Sequence, residues 1–558
     1  MKPLCHSLHP LDPASAAFFW RSKADRLLKV DMAVDNDRDG EVTFGGTDAT
    51  SETQPHTFWV NDDNDGTGDG TENVGSPNKD YTNGQLSSKR DLEDLSRIHL
   101  EVSSIDDILS SGDLQLGLKW KNTSDSPAIR LYLHSDILGG TGYITDDGAA
   151  GLQIGTTYKD VLKDKSNLST ISGGSTFIFK KTFFQNLSGS EIKPLLFEGS
   201  GEGSGELTMV LLDKNDQEIG EGSSVWLNLE NIKNLYVRGR ADWSGENPPR
   251  EFHGPTNDPP EPSFSFVFDQ MGYPFDQPWY ETGETIFFVH GWNQAYGNSL
   301  SFAETTFKRI WHRGFTGRFA MFRWPTEVGL TTYNDSDYKA WKSGSALKTF
   351  VQSVPGQTKN IAAHSMGNIV TGSALEKGMS VTNYALLNAA VPAACYDTDT
   401  SLHVNSYVTP LPSAELGFGG FLGGVSGNLV NFYLPQDFAL ITWDVNNDTN
   451  KPHILPAFAG SYSYDPNVTN PLERLSASFL LHTDRLVQTN HEAMSYVIQS
   501  QTWTAGSDGR TRGSINSDVD LSQYGFGDEH SAEWNRTPQQ TADFYEELLM
   551  QFQIFPNP

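Results

Sequence analysis

Asn360-Ile361-Ala362-Ala363-His364-Ser365-Met366-Gly367-Asn368-Ile369-Val370 is the most informative stretch of the chain. Its first four residues read as a short buried strand, and from Gly367 the run GNIVTGSALEKG has helical spacing. Ser365 therefore sits on a sharp strand-to-helix turn. Such a turn needs small residues two before and two after the serine, because the flanking backbones pass close to one another. Gly367 meets that need. Ala363 stands where glycine is usual, a change of one carbon. A serine hydroxyl held this way becomes a nucleophile when a base takes its proton and backbone amides receive the developing oxyanion. A serine on a turn is otherwise an ordinary surface feature; the strand–turn–helix setting is what distinguishes Ser365.

Working outward, apolar runs alternate with helical patterns from about residue 264 onward. ETIFFV is followed by the helical FAETTFKRIWHRG, RFAMFRW by YKAWKSGSALKTFVQSV, and NIAA by GNIVTGSALEKG, with VTNYALLNAA next. That alternation predicts a mostly parallel sheet with helices on both faces. ETIFFV ends in His290-Gly291-Trp292-Asn293, a loop placed to supply one oxyanion donor, the Trp292 amide; the Met366 amide, next after the serine, supplies the other. His290 precedes the nucleophile in the chain and is expected to pack under the loop. An acid should follow a later strand. LVNFY leads to Asp437, with Asp397, Asp444 and Asp448 as rivals. A histidine should precede the last helix, which Thr537-Pro538-Gln539-Gln540 caps. His530 fits, and His491 is the competitor at what reads as a helix start. The order Ser365, Asp437, His530 is the one this fold uses.

On these residues the chain resembles the α/β-hydrolase fold serine esterases and lipases. More narrowly it resembles an uncharacterised bacterial hydrolase group with an HGWN-type loop, an AHSMGN elbow, an aspartate followed by an apolar run (Asp437-Phe438-Ala439-Leu440) and a His-Ser-Ala segment before the terminal helix (His530-Ser531-Ala532). The resemblance spans roughly Gly283 to Phe552. It implies carboxylic-ester hydrolysis through an acyl-serine, with Asp437 orienting His530, and no cofactor for catalysis. It is specific for fold and triad and weak for substrate, which is a small-molecule, lipid or polymeric ester. The alanine at 363 and the long stretch between Asp437 and His530 depart from a minimal version of the pattern, and that stretch is a candidate cap over the site.

The N-terminal half has a different texture. RIHLEV, LQLGLKW, IRLYLH, STFIFKK, LTMVLL and SVWLNL read as short strands separated by turn clusters such as KNTSDS and LLDKNDQEIG, which predicts an all-β, sandwich-like region. The organisation expected is an extension over 1–26, a β-rich accessory region over 27–240, a proline-rich linker over 241–263 and the catalytic domain over 264–558. Within the accessory region Asp35-Asn36-Asp37-Arg38-Asp39-Gly40 has the alternating carboxylates and glycine of a calcium loop, and Asn61, Asp63 and Asp65 repeat the spacing. Gly46 occupies the twelfth position, where an EF-hand carries a bidentate glutamate. A structural Ca2+ held by Asp35, Asp37 and Asp39, and by Asn61, Asp63 and Asp65, is the expectation, against a simple acidic turn. A carbohydrate-, polymer- or protein-binding role for the region is the lesser alternative to a stabilising one.

Composition bounds the rest. The 558 residues carry 40 Lys and Arg against 70 Asp and Glu, a formal charge of −30, which repels nucleic acid. Two cysteines exclude a disulfide framework. No apolar run reaches the roughly 18 residues of a membrane span. The first residues lack the pattern of a signal peptide, whereas acidic surface and calcium-like loops favour a secreted or periplasmic bacterial protein. Oligomeric state is not legible. Two other functions stay open: a thioesterase, amidase or peptidase using the same three residues, and an inactive extracellular binding protein.

Overall fold

The computed structural model describes residues 20–21, 27–61, 92–103, 113–133, 170–180, 183, 190–242, 265–269, 282–294, 296–326, 333–390, 424–434, 437–441, 517–536 and 538–555. The N-terminal half contributes β1 (Trp20–Arg21), β2 (Leu27–Val34), β3 (His56–Trp59), β4 (Leu95–Ser103), β5 (Leu114–Leu133), β6 (Ile171–Ser172), β7 (Phe177–Ile178), β8 (Ser190–Asp213) and β9 (Glu218–Glu230). They join in one nine-stranded sheet whose spine runs β1-β2-β4-β8-β5-β6, with β9 pairing β8 and β3. All pairs are antiparallel except β3 with β9.

One expectation for this half needs correction. KNTSDS does not separate two strands: LQLGLKW and IRLYL lie on the single 20-residue β5. Asn122 and Asp125 adopt positive φ of 48° and 55°, and the register against β8 shifts around them. Their turn chemistry is used for bulges, which bend a strand without ending it. LLDKNDQEIG is a true hairpin, with Asp216 at φ 64° between β8 and β9.

The second sheet holds β10 (Val237–Asp242), β11 (Ser265–Phe268), β12 (Glu284–Val289), β13 (Arg318–Arg323), β14 (Thr358–His364), β15 (Asn383–Leu387), β16 (Leu429–Tyr433) and β17 (Ser517–Asp520). Its order is β11-β10-β13-β12-β14-β15-β16-β17, and only the β10–β11 pair is antiparallel. A boundary at 240 therefore falls inside β10, so the parallel sheet begins before the proline-rich stretch. The alternation in VRGRAD is that of an edge-side strand, which composition alone did not separate from the β-rich half. Helices α1 (Tyr296–Trp311), α2 (Tyr333–Ser353), α3 (Gly367–Glu376), α4 (Phe438–Ile441), α5 (Ala532–Asn535) and α6 (Pro538–Gln551) complete the described architecture. Phe544, Tyr545, Leu548, Leu549 and Phe552 are all buried, as the spacing on α6 predicts. The order in which strands are added reverses at β12, with β13 on one side and β14 on the other. That is the switch point where open α/β sheets place ligands, beyond the strands' carboxyl ends.

The two halves share one apolar core. Phe58 and Trp59 of β3 meet Trp311 at the end of α1, each with ring centroids 5.2 Å apart, and Phe197 of β8 packs edge-on to Phe58 at 5.5 Å. Burying a ring of this size contributes about 1.5–3 kcal/mol. Ion pairs are buried in the same seam: Lys308 with Asp94 at 2.8 Å and Arg309 with Glu93 at 2.9 Å. Arg38, from the acidic loop after β2, lays its guanidinium 4.6 Å from the Trp311 ring centroid and donates to the Phe315 carbonyl at 2.8 Å.

Candidate active site

β14 delivers His364 to the carboxyl edge of the sheet, and the chain turns at once into α3. Ser365 takes a φ of 52°, in the left-handed region that costs a non-glycine residue about 1–3 kcal/mol. Neighbours hold it there. Its N–H donates to Leu387 O at 2.9 Å and its carbonyl accepts from Ala390 N at 3.1 Å. Asn368 donates through Nδ2 to the carbonyls of Ala363 and Ser365, at 2.8 and 2.9 Å, while its Oδ1 accepts from Tyr384 Oη at 2.7 Å. The small residues have a steric reason. A Cβ on Gly367 would stand 2.5 Å from His290 O, and one on Gly291 would stand 2.9 Å from both Ser365 Cβ and His364 Nδ1. Ala363, in glycine's usual place, is fully buried in the core beneath the turn.

Ser365, Asp437 and His530 come together at this edge. His530 Nε2 lies 2.8 Å from Ser365 Oγ, and its Nδ1 lies 2.5 Å from Asp437 Oδ2. A carboxylate only accepts, so Nδ1 carries the proton and Nε2 is left to accept from the serine hydroxyl. Asp437 is fully buried, and its Oδ1 caps α4 by accepting from the amides of Ala439 and Leu440 at 2.9 and 3.1 Å. The rivals Asp397, Asp444, Asp448 and His491 lie outside the described residues, as does Thr537.

His290 is buried and pushed down to about 3 by that burial, with Arg323 adding to the effect. Its Nε2 accepts from Trp324 N at 3.2 Å, so Nδ1 donates to Gly291 O at 2.8 Å, and its ring stacks on Trp324. It shapes the loop that carries Gly291 and Trp292 past Ser365. Trp292 is half-buried against the core beneath. Met366 is the N-cap of α3, at the helix end whose backbone N–H groups have no acceptor within the helix.

Four residues around the site escape sequence reasoning. His364 Nε2 donates to His530 O at 2.9 Å and Asn388 Nδ2 to the same carbonyl at 3.0 Å. Asn388 Nδ2 also reaches Glu533 Oε1 at 3.0 Å, and the Glu533 carbonyl accepts from Arg309 Nη1 at 2.7 Å. Burial drives His364 well below the ordinary histidine value, with the nearby His530 adding to it, and raises Glu533 well above the carboxylate range. Burial thus favours the neutral form of both side chains. The signals available were faint: His364 lies inside the quoted motif and Asn388 at the end of a strand, but nothing local links either to residue 530.

In the acidic loop, Asp35, Asp37 and Asp39 bring carboxylate oxygens within 4.8 Å of one another. Asp48 organises the loop, its Oδ1 accepting from the amides of Asn36 and Asp37 at 2.6 and 3.3 Å and its Oδ2 from Thr43 N at 2.7 Å. Burial pushes Asp35 up to about 7; Arg97 opposes the shift, Asp48 and Asp39 add to it, and the Gly40 amide opposes it. Asn61 is turned elsewhere, donating to Asp94 Oδ2 at 3.0 Å, and Asp63 and Asp65 lie outside the described residues.

Residues 279–399 match the model of a family described as an alpha/beta hydrolase of unknown function (DUF900). The match contains Trp292, Ser365 and Met366 and ends before Asp437 and His530. It supports an α/β-hydrolase region here and a hydrolase in general. None of the curated proteins compared with the chain matches it. Among solved structures, the C-terminal domain of the Streptococcus pyogenes antigen I/II-family protein AspA is 9% identical at a TM-score of 0.13, over 26% of this chain and 48% of that one. A structure titled BspA_C_mut is 9% identical at 0.12, over 26% and 47%. A collagen-binding domain from a Staphylococcus aureus adhesin is 12% identical at 0.11, over 25% and 89%. The chain thus spans about half the length of the first two, and likenesses this slight bear on neither fold nor function.

Proposed function

We propose that this chain is a serine hydrolase that cleaves carboxylic esters through an acyl-serine intermediate. The observation that carries the reading is the pair of contacts at His530, with Ser365 Oγ on one ring nitrogen and Asp437 on the other. In that arrangement His530 Nε2 takes the hydroxyl proton as Oγ attacks the acyl carbon. Asp437 stabilises the imidazolium, which then gives the proton to the departing alkoxide. Water, deprotonated by the same nitrogen, releases the acid and restores the serine. The Met366 and Trp292 amides are the proposed oxyanion donors, since the first opens α3 and the second follows the glycine packed on Ser365. A thioesterase, amidase or peptidase differs only in the leaving group. A binding protein with no activity has no need of three groups in hydrogen-bond register. Hydrolysis of p-nitrophenyl esters from acetate to palmitate, against anilide and thioester counterparts, tests the assignment. The expected result is ester turnover that disappears in Ser365→Ala; turnover surviving that substitution, or anilides outrunning esters, overturns it.

We also propose that Asp35, Asp37 and Asp39 hold a structural Ca2+, a role consistent with a secreted or periplasmic location. The supporting observation is Asp35 Oδ1, which is buried without a hydrogen-bond partner although an unpaired buried acceptor is costly. Oxygen-only donors suit calcium, which takes about six to eight of them. The ion would neutralise the loop that presents Arg38 to Trp311, and would take no part in the chemistry at Ser365. Terbium luminescence should report one site, lost in Asp37→Asn with Asp39→Asn; an unchanged signal in that variant refutes it.

A further inference from the structure

We infer that Arg309 is a positioning residue for His530, and that Glu93 of the β-rich half belongs to the same device. The hydrolytic site is then assembled from both halves of the chain. The inference rests on the serine-hydrolase reading above.

Arg309 lies on the last turn of α1 with its side chain buried. Its guanidinium meets four acceptors. Nε donates to Glu93 Oε1 at 2.9 Å, Nη1 to Glu533 O at 2.7 Å and Thr541 Oγ1 at 3.0 Å, and Nη2 to Arg536 O at 2.9 Å. Glu533 O and Arg536 O are carbonyls of α5 and of the residue that ends it. This helix is four residues long and starts two residues after His530. A single turn does not hold itself together, because helix nucleation is unfavourable. What fixes it is outside it: Arg309 on its carbonyls, and Asn388 bridging Glu533 Oε1 to His530 O. His530 is thus suspended between the ends of β14 and β15 on one side and Arg309 on the other.

Glu93 sets the orientation of Arg309. It is the acidic partner of the guanidinium among the described residues, it comes from the segment just before β4, and it is almost fully buried. Its backbone carbonyl also accepts from His312 Nε2 at 2.8 Å, so Glu93 is held both by α1 and by the residue just past it. A buried ion pair is a poor source of stability, since apolar residues fill the same volume without the desolvation cost. Its usefulness here is directional: a guanidinium held at Nε presents its two remaining nitrogens in one plane, toward the carbonyls of α5. The adjacent pair, Lys308 with Asp94, is equally buried, and Asp94 accepts from Trp59 Nε1 at 2.7 Å and Asn61 Nδ2 at 3.0 Å, on the β-rich side of the seam. It is a built-in control.

The test compares Glu93→Gln and Arg309→Lys with a Lys308→Met, Asp94→Asn double variant. In each, kcat and KM are measured well below the melting temperature, together with the downfield proton resonance of His530 Nδ1, which is assigned by its loss in His530→Ala. Displacing a catalytic group by about 1 Å costs about a hundredfold in rate, so Arg309→Lys should lower kcat by about that factor and Glu93→Gln by about tenfold, with KM little changed. The Nδ1 resonance should shift or broaden in both and stay in place in the double variant. If Arg309→Lys fails to fold, Glu93→Gln carries the comparison, because it keeps an acceptor at Oε1. Wild-type kcat and an unmoved resonance in folded Glu93→Gln and Arg309→Lys would overturn the inference while leaving the hydrolase intact. A wild type without turnover would count against the hydrolase reading, and the resonance would still decide whether Arg309 positions His530.

Discussion

The two halves of this molecule use sequence in opposite ways. In the parallel sheet each candidate catalytic group stands just past a strand: Ser365 after β14, Asp437 beyond β16, His530 in the segment after β17. Local segments deliver them, and topology gathers the carboxyl ends at one edge. In the antiparallel half the long strands β5 and β8 pair over most of their length, and no side chain of that half meets the reacting groups among the described residues. Its contribution is made at a distance, through Glu93 to Arg309, and through Arg38 against Trp311. A half without a catalytic side chain can still belong to an active site.

The sharpest break between the halves should come from the chemistry itself. Ser365→Ala and His530→Ala should each lower kcat by roughly 10^6-fold, and Asp437→Asn by about 10^4-fold, with the fold preserved by circular dichroism. No substitution in the β-rich half should approach those losses. Gly291→Ala comes next. Its new Cβ would lie 2.9 Å from Ser365 Cβ, so the loop or the serine must move, and a fall of about a hundredfold in kcat is expected. A rate equal to wild type would mean the loop does not constrain the nucleophile.

Acid should strain the seam between the halves. His56 and His312 at the interface, and His290 at the site, are each pushed from 6.5 down to about 3, chiefly by burial. Between those values the unfolded chain binds more protons than the folded one, so stability falls as pH drops from about 6.5 toward 3. Glu533, raised well above the carboxylate range by burial, acts in the opposite sense and favours the folded state at low pH. Between about pH 7 and pH 4, His56→Gln with His312→Gln should lose less melting temperature than the wild type, and an equal loss would count against the two histidines. The smallest effect is expected at Glu533→Gln. Burial favours the neutral form of that carboxyl, and glutamine retains the acceptor that Asn388 uses. Activity and melting temperature should stay near wild type; a collapse would show that the charged form matters.

The elbow, the loop after β12 and the last helix were legible because each is a local pattern with a steric or periodic cause: Gly367 against His290 O, Gly291 against Ser365, the apolar face of α6. The bulges in β5 were not, because Asn and Asp favour positive φ equally in a turn and in a bulge, and only the partner strand decides. The boundary at 240 missed β10 because a strand pairing with β13 looks the same as one pairing with the first sheet. Arg309 was hidden most completely. Glu93 lies 216 residues before it and the Glu533 carbonyl 224 after, and no periodicity connects segments that meet only in three dimensions.

The central claim is that His530 activates Ser365. Treating the protein with a fluorophosphonate and locating the adduct by peptide mass tests it most directly. The account predicts a single adduct on Ser365 in the wild type and none at comparable rate in His530→Ala; labelling that ignores the histidine, or that falls on another residue, would contradict it.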